Sequence, residues 1–340
     1  MSNKTSKSKK KIYGRNRRIA IVAVLASLLV VAVGAAAGVL IWMLMKQPQP
    51  APAPSSSAVS ETPTTTAAPK VTLPVSFLDA NTACQNVAMY DVGSGTMLYT
   101  KQADAKQEPA SMTKLLTAAL AIQYTPEGYV FTVGNELSLV RDKSSKANLL
   151  AGDKLDLDKM LQALLIPSGN DAAYTIAAHL GRVTAGDASL SAADAVKKFV
   201  ALMNQTAAEL GMANTHFNNP DGYPEANHYS TAGDMMKLVK HADALPQIRE
   251  TVKQVTAAVP LLNGRTCTWK STNKLLLTDD EKHYNPYATG MKTGSGDTTY
   301  CLAASAEKDG RRLLLVLMGA RKEEDRWTDA NGLIQIGFES

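Results

Sequence analysis

Residues 19–45 run for 27 positions without a charged side chain, and this run limits what the chain can be. As a helix it would measure roughly 40 Å, longer than the ~30 Å hydrocarbon layer of a bilayer. Tilt, or interfacial placement of Trp42 and Met43, accommodates the excess. The apolar core of a cleaved signal is only about 7 to 15 residues long, so length favours a retained transmembrane anchor. Small residues at 33–38 (VGAAAG) keep cleavage open. Residues 1–18 carry eight basic side chains and no acid. Basic flanks stay inside, which makes 1–18 a cytoplasmic tail, puts a single-pass anchor in the cell membrane and places everything after Lys46 outside.

The 36 Lys and Arg outnumber the 31 Asp and Glu, a net charge of +5. Setting aside the eight bases of the tail leaves 28 basic against 31 acidic residues, so the rest of the chain is mildly acidic and no nucleic-acid partner is expected. Residues 46–76 read as a linker. From 47 to 76 there are seven Pro, ten Ser or Thr and two charges, a composition that cannot bury a core. The folded domain is expected over 77–340.

Within it, 84–91 and 96–101 read as two strands around a Gly-containing turn. Helical spacing covers 153–166 and 171–180 on either side of Pro167, then 195–210 up to Gly211. Ser230, Thr231 and Asp234 look like the capped start of a helix running through Val239. Residues 299–306 and 312–319 form a second hairpin across Lys308-Asp309-Gly310, and a last helix spans 323–336. Strands at both ends with helices between predict an α+β fold whose first and last strands meet in one antiparallel sheet.

Ser111 and Lys114 stand one helical turn apart, so hydroxyl and amine face the same way. A serine becomes a nucleophile when a neighbouring base takes its proton, and a lysine serves if burial lowers its pKa. The same Ser-x-x-Lys spacing occurs at Ser6, Ser8, Ser271 and Ser305. Ser111 differs because its helix is too apolar for the surface. Ser168-Gly169-Asn170 reads by itself as an N-cap for the helix beginning at Asp171. Lys292-Thr293-Gly294 occurs once, in a Gly-dense run that suits close backbone approach on an edge strand. The five His show no metal-ligand spacing, Cys84 and Cys267 could pair, Cys301 reads as a buried thiol, and neither a metal nor another cofactor is expected.

Taken in order, at separations of 57 and 124 residues, these three motifs resemble the set of the penicillin-binding protein and serine β-lactamase superfamily. Longer strings bring the chain closest to the low-molecular-weight D-alanyl-D-alanine carboxypeptidases: EPASMTKLLTA from Glu108, LLIPSGNDAA from Leu164, LGMANTHFNNPDG from Leu210, HYSTA from His228, TGMKTGSG from Thr289 and TYCLAASA from Thr299. The resemblance implies a five-stranded antiparallel sheet flanked by helices, with a helical subdomain. It implies an acyl-enzyme on Ser111 with Lys114 as base, Ser168 as proton relay and Asn170 holding the substrate amide. Lys292 would keep Lys114 from holding its proton and attract the terminal carboxylate, and Thr293 would hydrogen-bond that carboxylate with Gly294 beside it. The backbone N–H groups of Ser111 and Ser295 would form the oxyanion hole, and Arg321 would assist at the carboxylate. The implied substrate is a peptidoglycan stem peptide ending in D-Ala-D-Ala, with β-lactams as inhibitors.

Two departures stand out. The chain stops at GFES, where many members continue into a β-rich domain and an amphipathic anchor, so the N-terminal helix would replace that anchor. No Glu-x-x-Leu-Asn string is present, which disfavours efficient antibiotic hydrolysis. The alternatives are a DD-transpeptidase or a β-lactam or cell-wall sensor without turnover, for which an 18-residue tail offers no signalling domain.

Overall fold

A computed structural model describes residues 78–340 apart from 80 and 298. The expected tail, anchor and linker (46–76) therefore lie outside the described residues. Among the described residues no helix is long and apolar enough to cross a membrane.

In chain order the elements are β1 (Asn86–Asp91), β2 (Thr96–Lys101), α1 (Lys114–Tyr124), β3 (Phe131–Thr132), β4 (Lys154–Leu155), α2 (Leu157–Leu165), α3 (Asn170–Ala185) and α4 (Ala192–Glu209). They continue with α5 (Ala232–Asp243), α6 (Pro246–Val252), β5 (Thr256–Pro260), β6 (Thr266–Lys270), β7 (Ala288–Ser295), β8 (Tyr300–Lys308), β9 (Arg311–Ala320) and α7 (Glu323–Glu339). The main sheet has five antiparallel strands in the order β2-β1-β9-β8-β7. The two ends of the domain meet as expected, with Asn86 opposite Met318 and Asp91 opposite Leu313.

The sequence of β9, RRLLLVLMGA, is apolar without alternation because both its faces are covered. Leu313, Leu315 and Leu317 pack with Trp327 and Ile334 of α7, while Leu314, Val316 and Met318 join the core shared with α1 and α5. The β8–β9 connection is a two-residue turn. Asp309 (φ 50°) and Gly310 (φ 77°) both take left-handed backbone, which matches the strand twist.

Several boundaries move for identifiable reasons. The helix expected from Asp153 starts at Leu157, because Lys154–Leu155 pairs with β3 and Asp156 accepts the Lys159 N–H at 3.0 Å. Helix α3 runs on to Ala185 and ends at Gly186 with φ 64°. Ser191 caps α4, which starts at Ala192, three residues before the expected start, and Thr231 caps α5 as expected. Ser168 is not a cap: Gly169 holds that position and no side chain accepts there. Cys84 and Cys267 do not pair, since all three cysteines are free and buried.

Because β9 is buried on both faces, shortening one of its side chains leaves a cavity the sheet cannot close. Leu315→Ala is expected to cost about 2–5 kcal/mol, read as a fall in the urea midpoint at constant slope. A loss below about 1 kcal/mol would show that the α7 face of the sheet is loosely packed.

Candidate active site

The turn Ala110–Thr113 is a single 3-10 turn that runs into α1. It exposes Ser111 partly and sends Lys114 inward, where the amine is surrounded by the buried run Leu115–Ala121 and has 0% exposure. Lys114 Nζ donates to Ser111 Oγ at 2.7 Å and to the Asp221 carbonyl at 2.8 Å. Burial pushes the Lys114 pKa down to about 8, a fall that the Asp221 and Asp171 carboxylates partly oppose. The Asp221 carboxyl is itself pushed up by burial, and its Oδ2 is buried without a partner.

Asp221 and Gly222 fit under the serine turn closely. A Cβ on Gly222 would stand 1.8 Å from the Ala110 carbonyl oxygen, and its φ of +82° already favours glycine. His228 braces the same turn. Its Nδ1 accepts the Asn218 N–H at 3.1 Å, so Nε2 carries the proton and donates to Thr113 Oγ1 at 3.0 Å. Burial pushes this imidazole down to about 4 and keeps it neutral.

Strand β7 forms the opposite wall. Lys292 is buried, and its Nζ donates to the Thr293 carbonyl at 3.0 Å and, at 3.4 Å, to Thr293 Oγ1. Its pKa lies well below the ordinary lysine value, through burial first and then through the cations Lys114 and Arg326. Thr293 Oγ1 is 2.6 Å from Thr272 Oγ1. At Gly294 a Cβ would lie 3.0 Å from the Pro109 carbonyl oxygen and 3.1 Å from Ala110 Cβ, so only glycine lets β7 lie this close to the serine turn. Arg326 of α7 pins the end of the strand. Its Nη1 donates to the Gly294 carbonyl at 2.7 Å and to Ser295 Oγ at 3.2 Å, with 3% of the residue exposed.

Arg321 is exposed at the β9–α7 junction and makes no hydrogen bond or ion pair among the described residues. The structure brings Arg326 to the β7 wall instead. The sequence reading missed it because a buried arginine one turn into a polar helix start looks like a solvated one. Thr272, Asp221 and His228 were missed as well. Only the unusually apolar setting of Lys114 hinted that a backbone acceptor had to be near.

Between the walls is a cleft of about 310 Å³, lined by Ser111, Ser145, Asn170, Tyr223 and Ser295 among others. Ser168 is buried with φ 63°, held by its carbonyl, which accepts Ser145 Oγ at 2.7 Å. Asn170 opens α3, and its Oδ1 lies 3.5 Å from Ser145 Oγ. Of the nine expected residues, Ser111, Asn170 and Ser295 line the cleft, Lys292, Thr293 and Gly294 precede Ser295 on β7, and Lys114 meets Ser111 from the buried start of α1; Ser168 is buried two residues before Asn170, and Arg321 directly follows β9, whose Ala320 pairs with Tyr300. Among the described residues no group of His, Cys, Asp and Glu could hold a metal ion.

Residues 75–322 match the sequence family described as D-alanyl-D-alanine carboxypeptidase. This chain belongs to that family. It is 35% identical over 256 residues to the D-alanyl-D-alanine carboxypeptidase of Streptomyces sp. strain K15, covering 72% of this chain and 84% of that one. It is 28% identical to the D-alanyl-D-alanine carboxypeptidase DacF of Bacillus subtilis over 75% of this chain, spanning 62% of that longer relative. The crystal structure of the Streptomyces K15 DD-transpeptidase superposes with a TM-score of 0.68 at 31% identity, covering 76% of this chain and 98% of that chain.

A base must be unprotonated, so acylation of this carboxypeptidase-family serine is expected to rise with pH as Lys114 loses its proton, with a midpoint near 8. Burial of Lys114 itself is the cause of the fall, and not Lys292 as the resemblance implied, so Lys292→Ala should leave that midpoint near 8 while weakening substrate binding. Stopped-flow acylation rates against pH check both statements. A wild-type midpoint near the ordinary lysine value of 10.5 would remove Lys114 as the base.

Proposed function

We propose that this serine peptidase cleaves the bond between the two terminal D-alanines of a peptidoglycan stem pentapeptide and passes the acyl group to water. The observation that carries the reading is the 2.7 Å hydrogen bond from a desolvated lysine to a cleft serine. Neutral Lys114 takes the hydroxyl proton as Ser111 Oγ bonds to the carbonyl carbon of the penultimate D-alanine. Backbone N–H groups of Ser111 and Ser295 receive the developing oxyanion. The C–N bond then breaks, Ser168 relays the proton to the leaving amine, and D-alanine departs. Asn170 holds the substrate amide. Water attacks the Ser111 ester with Lys114 again as base, which frees the serine.

Lys292 and Thr293 face the terminal carboxylate in this scheme. Burial and two neighbouring cations disfavour the Lys292 proton, and a carboxylate laid against the amine favours it again, so charge develops where the substrate needs it. β-Lactams acylate Ser111 by the same steps because their ring amide offers an equivalent carbonyl.

A second reading, transfer of the acyl group to another stem's amine, rests on the likeness to the Streptomyces K15 DD-transpeptidase. Both readings share the acyl-enzyme. Mass spectrometry with a diacyl-D-Ala-D-Ala peptide is expected to show D-alanine release that falls about a thousandfold or more in Ser111→Ala, with loss of the penicillin adduct. An adduct mapped to Ser271 or Ser305 would sink the assignment, and an amine-capped product in place of the free acid would favour transfer.

The uncharged run at 19–45 and its basic flank support a membrane anchor with the catalytic domain outside the cytoplasm. The full chain is expected to stay in the membrane pellet through a high-salt wash. Its recovery in the soluble fraction would mean that the run is removed or does not insert.

A further inference from the structure

Both loops that line the cleft continue into a second cavity. One loop gives Ser144 and Ser145 to the cleft, then Arg141 and Asp142 to a neighbouring cavity of about 630 Å³. The other gives Tyr223 to the cleft, then Asn219 and Glu225 to that cavity. The two spaces therefore lie side by side along the same pair of loops. At their waist the Arg141 guanidinium sits 5.6 Å from the centroid of the Tyr223 ring.

The charges in this second space are unequally occupied. Lys197 pairs with Asp194 at 3.4 Å, and Glu225 Oε2 accepts Asn219 Nδ2 at 3.1 Å. Arg141 makes no hydrogen bond or ion pair through its side chain among the described residues, nor does its neighbour Asp142, and one charge it acts on is the buried Asp221 carboxylate. A guanidinium beside an aromatic ring, with its N–H groups in no hydrogen bond, presents a planar fork suited to a carboxylate.

The direction of the substrate follows from β7. The cleft is lined by Ser295, Gly296 and Asp297 but not by Lys292 or Thr293, so a peptide whose terminal carboxylate meets Lys292 sends its upstream residues past Ser295 and Tyr223. That path leads to Arg141.

We propose that the second cavity is a subsite for the stem peptide upstream of the scissile bond, and that Arg141 is a specificity residue pairing there with a substrate carboxylate. This rests on the peptidase reading above.

The test uses three acyl-D-Ala-D-Ala peptides: one ending at the residue before the D-alanines, one extended by a glutamate with a free carboxylate, and one extended by glutamine. D-Alanine release gives kcat/KM for wild type, Arg141→Ala and Arg141→Lys. Wild type is expected to prefer the glutamate peptide over the glutamine peptide by about five- to tenfold, the range of a charge-assisted pair at a partly wet site. Arg141→Ala should bring that ratio to about one. Arg141→Lys, which keeps charge without the fork, should retain part of it. A ratio that survives in Arg141→Ala, or rates that fall alike for all three peptides, would overturn the subsite. Equal wild-type rates on all three would overturn the subsite alone, whereas no D-alanine from any peptide would overturn the peptidase reading and the subsite with it.

Discussion

A lysine amine with no access to water, held 2.7 Å from a serine hydroxyl, is the constraint around which the domain is arranged. Desolvation favours the neutral amine, and only a neutral amine can take a proton. The apolar surroundings of α1 supply the desolvation. An amine in such a place still needs acceptors, and the Asp221 carbonyl provides one from a loop more than a hundred residues away. That loop reaches the amine only because Gly222 lets its backbone touch Ala110. His228, kept neutral by burial, ties the same turn to the strand-like segment around Tyr229 through Thr113.

The second wall depends on the sheet. As an edge strand, β7 leaves one side of its backbone for the cleft, and β8 and β9 hold the other side in register. Its end is fixed by Arg326, which takes the Gly294 carbonyl and the Ser295 hydroxyl from beneath. Helix α7 thus serves twice. Trp327 and Ile334 cover the odd-numbered face of β9, and Arg326, beside Trp327, reaches the site.

Identical local patterns behave differently when placed on different elements. Ser305 and Lys308 share the Ser-x-x-Lys spacing, but both lie on β8, where residues three apart point to opposite faces; Ser305 is buried against Thr289 while Lys308 sits over the Tyr287 ring. Ser271 and Lys274 flank a short turn, and Lys274 pairs with Glu323. Of the described copies only Ser111 and Lys114 stand at the start of a buried helix. This is why the apolar run after Lys114 was informative where the spacing alone was not.

The two terminal hairpins, the meeting of the first and last strands and most of the helices are legible in the sequence from periodicity, caps and short-range spacing, which are local properties of a chain, whereas β3 to β6 and α6 are not. The motifs carrying Ser111, Lys114, Asn170 and Lys292 are recognised through their resemblance to a family. Only the tertiary structure decided that Arg326 and not Arg321 meets the β7 wall, that Cys84 and Cys267 stay apart, and that Asp221, His228 and Thr272 complete the surroundings of the site. Each of these joins positions distant in sequence or on different faces of one element. No local pattern encodes which buried donor will find which acceptor; that is settled by how the packed elements share their limited interior space.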